Sequence, residues 1–181
     1  MRRRTGHAAA LTRIRLFATD VDGVLTDAGM YYSETGDEWK KFNTRDGMGI
    51  KLLQRAGLIT AFITMEETKL VARRAVKLAV PEVHQGVKDK LEVLQAIIAR
   101  HDLSLDAVAY MGDDINDLET LQAVGFSAAP SDAVPSVRRA VNYLCRKKGG
   151  EGAVREVADM ILAARDSTFD VRRSKRKRSS Q

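Results

Sequence analysis

Short apolar runs of strand length alternate along this chain with longer stretches whose apolar residues recur at helical spacing. The runs are IRLFAT (14–19), LITAFIT (58–64), the shorter EVHQG (82–86) and AVAYMG (107–112). Between and after them lie DGMGIKLLQRAG (46–57), EETKLVARRAVKLAV (66–80), DKLEVLQAIIARH (89–101), INDLETLQAVG (115–125) and EGAVREVADMILAAR (151–165). Leu70, Val71, Ala75 and Leu78 share one helical face, as do Leu91, Leu94, Ile97 and Ile98. FSAAPSDAVPSVRRAVNYL adds a strand, a short helix and a strand fragment. Strands that alternate with helices favour parallel pairing through crossover connections, so the alternation predicts an α/β fold: a doubly wound, mostly parallel sheet with helices on both faces. GMYYSETGDEWKKF (29–42) interrupts it as a β-hairpin, with aromatic arms around a glycine turn.

In such sheets a ligand sits at the carboxyl ends of the strands. FATDVDGVLTD ends the first run with Asp20, Asp22 and Asp27 beside Gly23. Two neighbouring carboxylates can be driven to different protonation states. One then serves as a nucleophile and the other as a proton donor and acceptor. An Asp–Gly turn or helix cap is the plain alternative. A calcium loop fails: its sixth position, counted from Asp20, holds Leu25 where glycine is needed. Thr64 ends the second run, where a hydroxyl can bond a phosphoryl oxygen. Lys90 opens the helix after the third, where an ammonium can neutralise phosphate. GDDIND (112–117) ends the fourth with Asp113, Asp114 and Asp117. Carboxylates there would complete a hard-oxygen Mg²⁺ site with Asp20, and Asp117 also suits a helix cap.

The order Asp-x-Asp-Gly, Thr, Lys, Gly-Asp-Asp resembles the haloacid dehalogenase superfamily of phosphohydrolases over residues 14–165. The resemblance implies Asp20 as nucleophile and metal ligand, and Asp22 as general acid/base with its backbone carbonyl on Mg²⁺. It implies Thr64 and Lys90 on the phosphoryl group, Asp113 as a metal ligand and Asp114 as support for the metal shell. DVDGVLTD, FNTRDGMGIKLL, GVKDKL, AYMGDDINDLETLQAVG and KKGGEGAVREV are similar to the 3-deoxy-D-manno-octulosonate 8-phosphate (KDO 8-phosphate) phosphatases. That family lacks a cap domain, which agrees with the absence of a long insertion between Asp27 and Thr64 or between Lys90 and Asp113. It implies a homotetramer assembled through the 29–42 hairpin, with a neighbour closing the pocket. Its substrate-contacting positions fall on Asn43, Thr44, Arg45, Asp46, Gly47, Lys51 and Arg74. KGGEG (148–152) falls near the pocket.

The family follows the motif threonine with Gly-Arg; here Met65 and Glu66 stand there. This glutamate, the RRAVKL pattern and MYYSETGDEWKKFNT resemble the branch that acts on 2-keto-3-deoxynononate 9-phosphate (KDN 9-phosphate). Glu66, Arg74 and Lys77 are then expected to read the sugar acid. The resemblance therefore implies a Mg²⁺-dependent phosphatase for a small phosphorylated sugar acid. A catalytically silent tetramerisation module beside a sugar-activating enzyme is the rival, opposed by the intact Asp20, Asp22, Lys90 and Asp113.

Net charge is +6, but nine of the 30 basic residues lie in two terminal runs, Arg2–Arg4 and RRSKRKR (172–178). Without them 21 basic residues face 24 acidic ones, so the body is weakly acidic. No aromatic-rich basic groove pattern supports nucleic-acid binding. The expected organisation is a basic tail over 1–12, one phosphatase domain over 13–165 and a basic disordered tail over 166–181. One cysteine, Cys145, excludes an internal disulfide. With no membrane-length apolar run and no secretory signal, it points to the cytoplasm.

Overall fold

Strand β1 (Leu16–Thr19) lies at the centre of a sheet and is buried along its whole length. The computed structural model describes residues 9–178, with side-chain surroundings for residues 9–166. Around β1 stand β4 (Ile59–Ile63), β5 (Glu82–His84), β6 (Val108–Met111), β7 (Phe126–Ala129) and β8 (Tyr143–Leu144), in the order β5-β4-β1-β6-β7-β8. Every pairing in this sheet is parallel. The chain builds outward from β1 through β4 and β5, then returns to β6 on the other side. The order thus reverses at β1, and a site is expected at its carboxyl end.

Alternation along the strands sorts the core into two layers. Phe17, Phe62, Ala109 and Met111 face one side. There they meet α1 (Thr44–Arg55) through Ile50 and Leu53, α2 (Lys69–Leu78) through Val71, Ala75 and Leu78, and α6 (Ala153–Arg178) through Val154, Val157 and Ile161. Leu16, Ala18, Ala61, Ile63, Val108 and Tyr110 face the other. There they meet α3 (Lys90–Arg100) through Leu94, Ile97 and Ile98, α4 (Leu118–Ala123) through Leu121, and α5 (Pro135–Ala140) through Val137. This is the doubly wound arrangement expected from the alternating runs.

Side-chain caps set where the helices start. Asn43 accepts from the Arg45 N–H at 2.8 Å, so α1 begins two residues before the expected Asp46. Thr68 caps α2, and Asp89 caps α3 by accepting from the Glu92 N–H at 2.9 Å. The helix expected over 115–125 divides into a 3₁₀ turn, Ile115–Asp117, and α4. Leu11 is already in the core, so the body reaches into the expected N-terminal tail; Arg2–Arg4 lie outside the described residues. At the other end the last helix, expected to stop at 165, runs on: the backbone stays helical to Arg178. No glycine or proline falls within 153–178 to stop it.

The hairpin is a separate antiparallel pair, β2 (Tyr31–Tyr32) and β3 (Glu38–Trp39). Met30, Tyr31, Tyr32 and Trp39 are exposed. Phe42 is not part of that face; it packs against the core, with the Arg74 guanidinium over its ring. Among the described residues no helix is long and apolar enough to cross a membrane.

Candidate active site

The polar residues of the strand ends converge at the carboxyl edge of β1. Asp20 follows β1 directly, and its N–H bonds the Met111 carbonyl at 2.9 Å, drawing the ends of β1 and β6 together. Its carboxylate accepts from the Val21 N–H at 2.7 Å and from Lys90 Nζ at 2.7 Å. Thr64 follows β4 and is buried, and its hydroxyl accepts from the Glu66 N–H at 3.3 Å. Asp20, Asp22, Thr64, Met65, Glu66, Asp113, Asp114 and Asn116 line a cavity of about 200 Å³. The structure therefore brings together the expected Asp20, Asp22, Thr64, Glu66, Asp113 and Asp114, with Lys90 reaching Asp20 from beneath.

The loop after β1 is shaped by Gly23, whose φ of +76° suits glycine. A Cβ there would also overlap the Asp113 carboxylate. The KGGEG loop leans on the same turn: the Gly150 N–H bonds the Val24 carbonyl at 3.0 Å. The loop, expected near the pocket, packs its backbone on this turn, and none of its residues lines the cavity.

Electrostatics follow from crowding acids in a buried place. Burial, then the charge of Asp117, pushes the Asp20 carboxyl up to about 7 against the pull of Lys90. Burial, then Asp20 and Asp117, lifts Asp113 to about 8. Burial would lower Lys90, but Asp20 and Asp117 outweigh it and keep the ammonium charged. Carboxylate oxygens of Asp20, Asp113 and Asp117 lie within 4.8 Å of one another. Of these, Asp20 and Asp113 face the cavity, and their hard oxygen donors fit a divalent cation such as Mg²⁺.

Asp117 is the residue that sequence reasoning under-read. Its Oδ1 accepts from Lys90 Nζ at 2.8 Å and from the Tyr110 hydroxyl at 2.7 Å. Its Oδ2 accepts from the N–H groups of Asp113 at 3.0 Å and Asp114 at 3.3 Å. Those four bonds fill a carboxylate's acceptor sites, so Asp117 aims Lys90 and shapes the acidic turn. Asp114, expected to support the metal shell, accepts from the Ile115 N–H at 2.6 Å and caps the 3₁₀ turn.

The stretch expected to contact substrate is mostly engaged elsewhere within this chain. Asp46 is fully buried and accepts from the N–H groups of Gly152 at 3.1 Å and Arg155 at 2.9 Å, tying α1 to α6. Asn43 donates to the Gly150 carbonyl at 3.1 Å, and Arg74 donates to the Asn43 carbonyl at 2.8 Å. Gly47 is buried against Arg74. Thr44, Arg45 and Lys77 are exposed and Lys51 is half-buried, and none of them lines the cavity. Their sequence signal was the family pattern, which does not separate structural from substrate-facing roles.

Residues 77–157 match the model of the haloacid dehalogenase-like hydrolases. The KDO 8-phosphate phosphatase of Yersinia pestis is 42% identical over 153 residues, covering 84% of this chain and 82% of that protein. The chain belongs to the KDO 8-phosphate phosphatase family of haloacid dehalogenase-like hydrolases. Two solved structures extend the likeness. The Moraxella catarrhalis phosphatase, crystallised with magnesium, phosphate and KDO, superposes with a TM-score of 0.85 at 36% identity, covering 91% of this chain and 96% of that one. The cobalt-bound Haemophilus influenzae phosphatase does so with a TM-score of 0.83 at 36% identity, covering 87% and 92%. As a member of this family the chain is a phosphomonoester hydrolase.

Proposed function

We propose that the enzyme removes the terminal phosphate of a 2-keto-3-deoxy sugar acid, KDO 8-phosphate or a nonulosonate 9-phosphate such as KDN 9-phosphate, with Mg²⁺ as cofactor. The observation that carries this reading is Lys90 Nζ at 2.7 Å from Asp20, at the base of a cavity walled by Asp22, Thr64 and Asp113. A carboxylate is thus held beside a fixed cation, where a phosphoryl group would need both.

In this reading an Asp20 oxygen attacks phosphorus and the ester P–O bond breaks. The leaving sugar oxygen takes the proton of Asp22. Water then attacks the phosphoaspartate while Asp22 takes back a proton, so water and ester become alcohol and phosphate and the enzyme is restored. Thr64 and Lys90 hold the phosphoryl oxygens. Asp20, Asp113 and the Asp22 carbonyl would hold Mg²⁺, which when bound neutralises phosphoryl charge. The magnesium and cobalt carried by the two neighbours support this assignment.

The exposed Met30, Tyr31, Tyr32 and Trp39 form an apolar face unusual for an isolated domain, and support assembly of a homotetramer through the hairpin. Arg74 and Lys77 would meet a sugar acid only across such a subunit boundary. The deciding experiment is phosphate release with and without Mg²⁺ across KDO 8-phosphate, KDN 9-phosphate, N-acetylneuraminate 9-phosphate and common hexose phosphates. Release confined to the sugar acids and dependent on Mg²⁺ is expected; release of hexose phosphates at equal efficiency refutes the reading.

A further inference from the structure

Lys40 leaves the hairpin in an unusual direction. It follows Trp39, and successive strand residues point to opposite sides. Trp39 faces solvent, whereas the Lys40 side chain is withdrawn from it entirely. Lysine is rarely buried, and burying its charge costs several kcal/mol unless paired, on the order of the penalty for any buried ion. The neighbouring Lys41 behaves ordinarily: it is exposed and meets Asp27 at 3.4 Å.

What compensates Lys40 is the active site. Its Nζ lies 2.7 Å from Asp22 Oδ1 and 3.8 Å from Glu66 Oε2. Both acids line the cavity. The Asp22 carboxylate is asymmetric as a result. Oδ1 takes Lys40 and, at 3.4 Å, the Thr26 hydroxyl. Oδ2 is buried without a hydrogen-bond partner. A buried carboxylate oxygen with no partner within the protein is open to a water, an ion or a substrate atom.

We propose that Lys40 is a positioning residue: it grips Oδ1 of Asp22, locks that carboxyl's rotamer, and leaves Oδ2 as the oxygen that exchanges a proton with the leaving group. The inference rests on Asp22 being the proton donor. A charge-assisted bond at this distance is strong enough to resist rotation of the carboxyl. The contact with Glu66 ties the loop after β4 to the same ammonium.

Leaving-group dependence separates the two roles. An alkyl oxygen must be protonated as it departs, whereas p-nitrophenolate leaves without help. The comparison is kcat/KM, which reports the steps up to departure, for a sugar-acid phosphate turned over by the wild type (KDO 8-phosphate or KDN 9-phosphate) and for p-nitrophenyl phosphate, both with Mg²⁺. Lys40→Met should lose about tenfold or more on the sugar phosphate, short of the roughly 10²–10⁴-fold that a whole general acid contributes because Asp22 itself remains, and several-fold less on the nitrophenyl ester. Lys40→Gln should behave alike and serves if Lys40→Met folds poorly by circular dichroism. Asp22→Asn should show the same selectivity, and Lys40→Met should add nothing to it. Equal losses on both substrates, or none, for Lys40→Met beside a selective Asp22→Asn would overturn the role of Lys40 alone. An unselective Asp22→Asn would remove the proton-donor reading and this inference with it.

Discussion

Nζ of Lys90 lies 2.8 Å from Oδ1 of Asp117, and neither side chain reaches solvent. The pair sits beneath the cavity floor, with Tyr110 on the same Asp117 oxygen. A buried lysine shared between Asp20 and Asp117 cannot wander, so its charge stays aimed at the position beside Asp20. The arrangement trades stability for placement, since a buried pair gains little over an apolar one but loses much when broken.

Asp117→Ala should therefore hurt twice. It strips Lys90 of one partner, leaves the buried Tyr110 hydroxyl without its acceptor, and frees the Asp113 and Asp114 N–H groups. A loss of about 3–5 kcal/mol is expected from breaking a buried ion pair, together with a large fall in kcat. Urea unfolding and turnover measured on the same preparation check both. A stability loss below about 1 kcal/mol, the size of a surface pair, would contradict this account.

The metal site predicts a second pair of results. Asp20→Asn should remove turnover while leaving the fold, because an amide cannot serve as the nucleophile. Asp113→Ala should sharply weaken the response to Mg²⁺, and excess chelator should silence the wild type. Magnesium titration followed by calorimetry and by phosphate release tests these directly. Full activity in excess chelator would refute a metal-dependent reaction.

For the hairpin, the expected result is assembly. Tyr32 is 67% exposed and Trp39 53% exposed, an apolar area that a partner copy would cover. Light scattering should give a tetramer at micromolar concentration, and Tyr32→Glu with Trp39→Glu should give a monomer. A monomeric wild type would remove the assembly role.

Acid sensitivity should centre on Glu82. Burial alone would raise its carboxyl, but hydrogen bonds from His84 at 3.0 Å, His101 at 2.8 Å and Arg100 at 2.7 Å overcome this and hold it at about 2. The folded value is below the ordinary 4.5, so the stabilisation is complete above about that pH and is lost as pH falls toward 2. Glu82→Gln should cost on the order of 1 kcal/mol near neutrality and flatten the fall of the melting temperature between those limits. An unchanged acid slope would show that Glu82 contributes nothing there.

Residues at strand ends were legible in the sequence because each strand announces its own end. Asp20, Thr64, Lys90 and Asp113 could be placed at one edge before any coordinate was known. Lys40 and Asp117 were not legible, because their roles arise from partners that only the fold supplies: Asp22 is 18 residues from Lys40, and Lys90 is 27 from Asp117. Asp46 shows the same limit in reverse. Its partners, Gly152 and Arg155, are more than 100 residues away, and nothing local distinguishes an acid that ties two helices from one that meets a ligand. The last helix outran its expected end because an amphipathic face predicts where packing stops, while backbone continuation needs only the absence of breakers.

Glu66 is where substrate choice should be decided. It lines the cavity two residues after Thr64 and is exposed on the rim. Arginine there would grip a substrate carboxylate in two parallel bonds; glutamate repels that carboxylate and accepts bonds from sugar hydroxyls or an amide. Lys40, 3.8 Å away, tempers the charge without cancelling it, because Lys40 is bound more closely to Asp22. The enzyme should therefore prefer a nine-carbon acid 9-phosphate to KDO 8-phosphate, and Glu66→Arg should move the kcat/KM ratio toward the octulosonate by about tenfold, the worth of one charge-assisted bond of about 1.5 kcal/mol. The same substitution sets a second cation near Lys40, so Glu66→Gln is the control that removes the repulsion without adding charge. It should shift the ratio in the same direction by less. Measuring both ratios against wild type settles the matter: if neither variant changes the ratio, Glu66 is a solvated residue at the start of its loop and the sugar is read elsewhere.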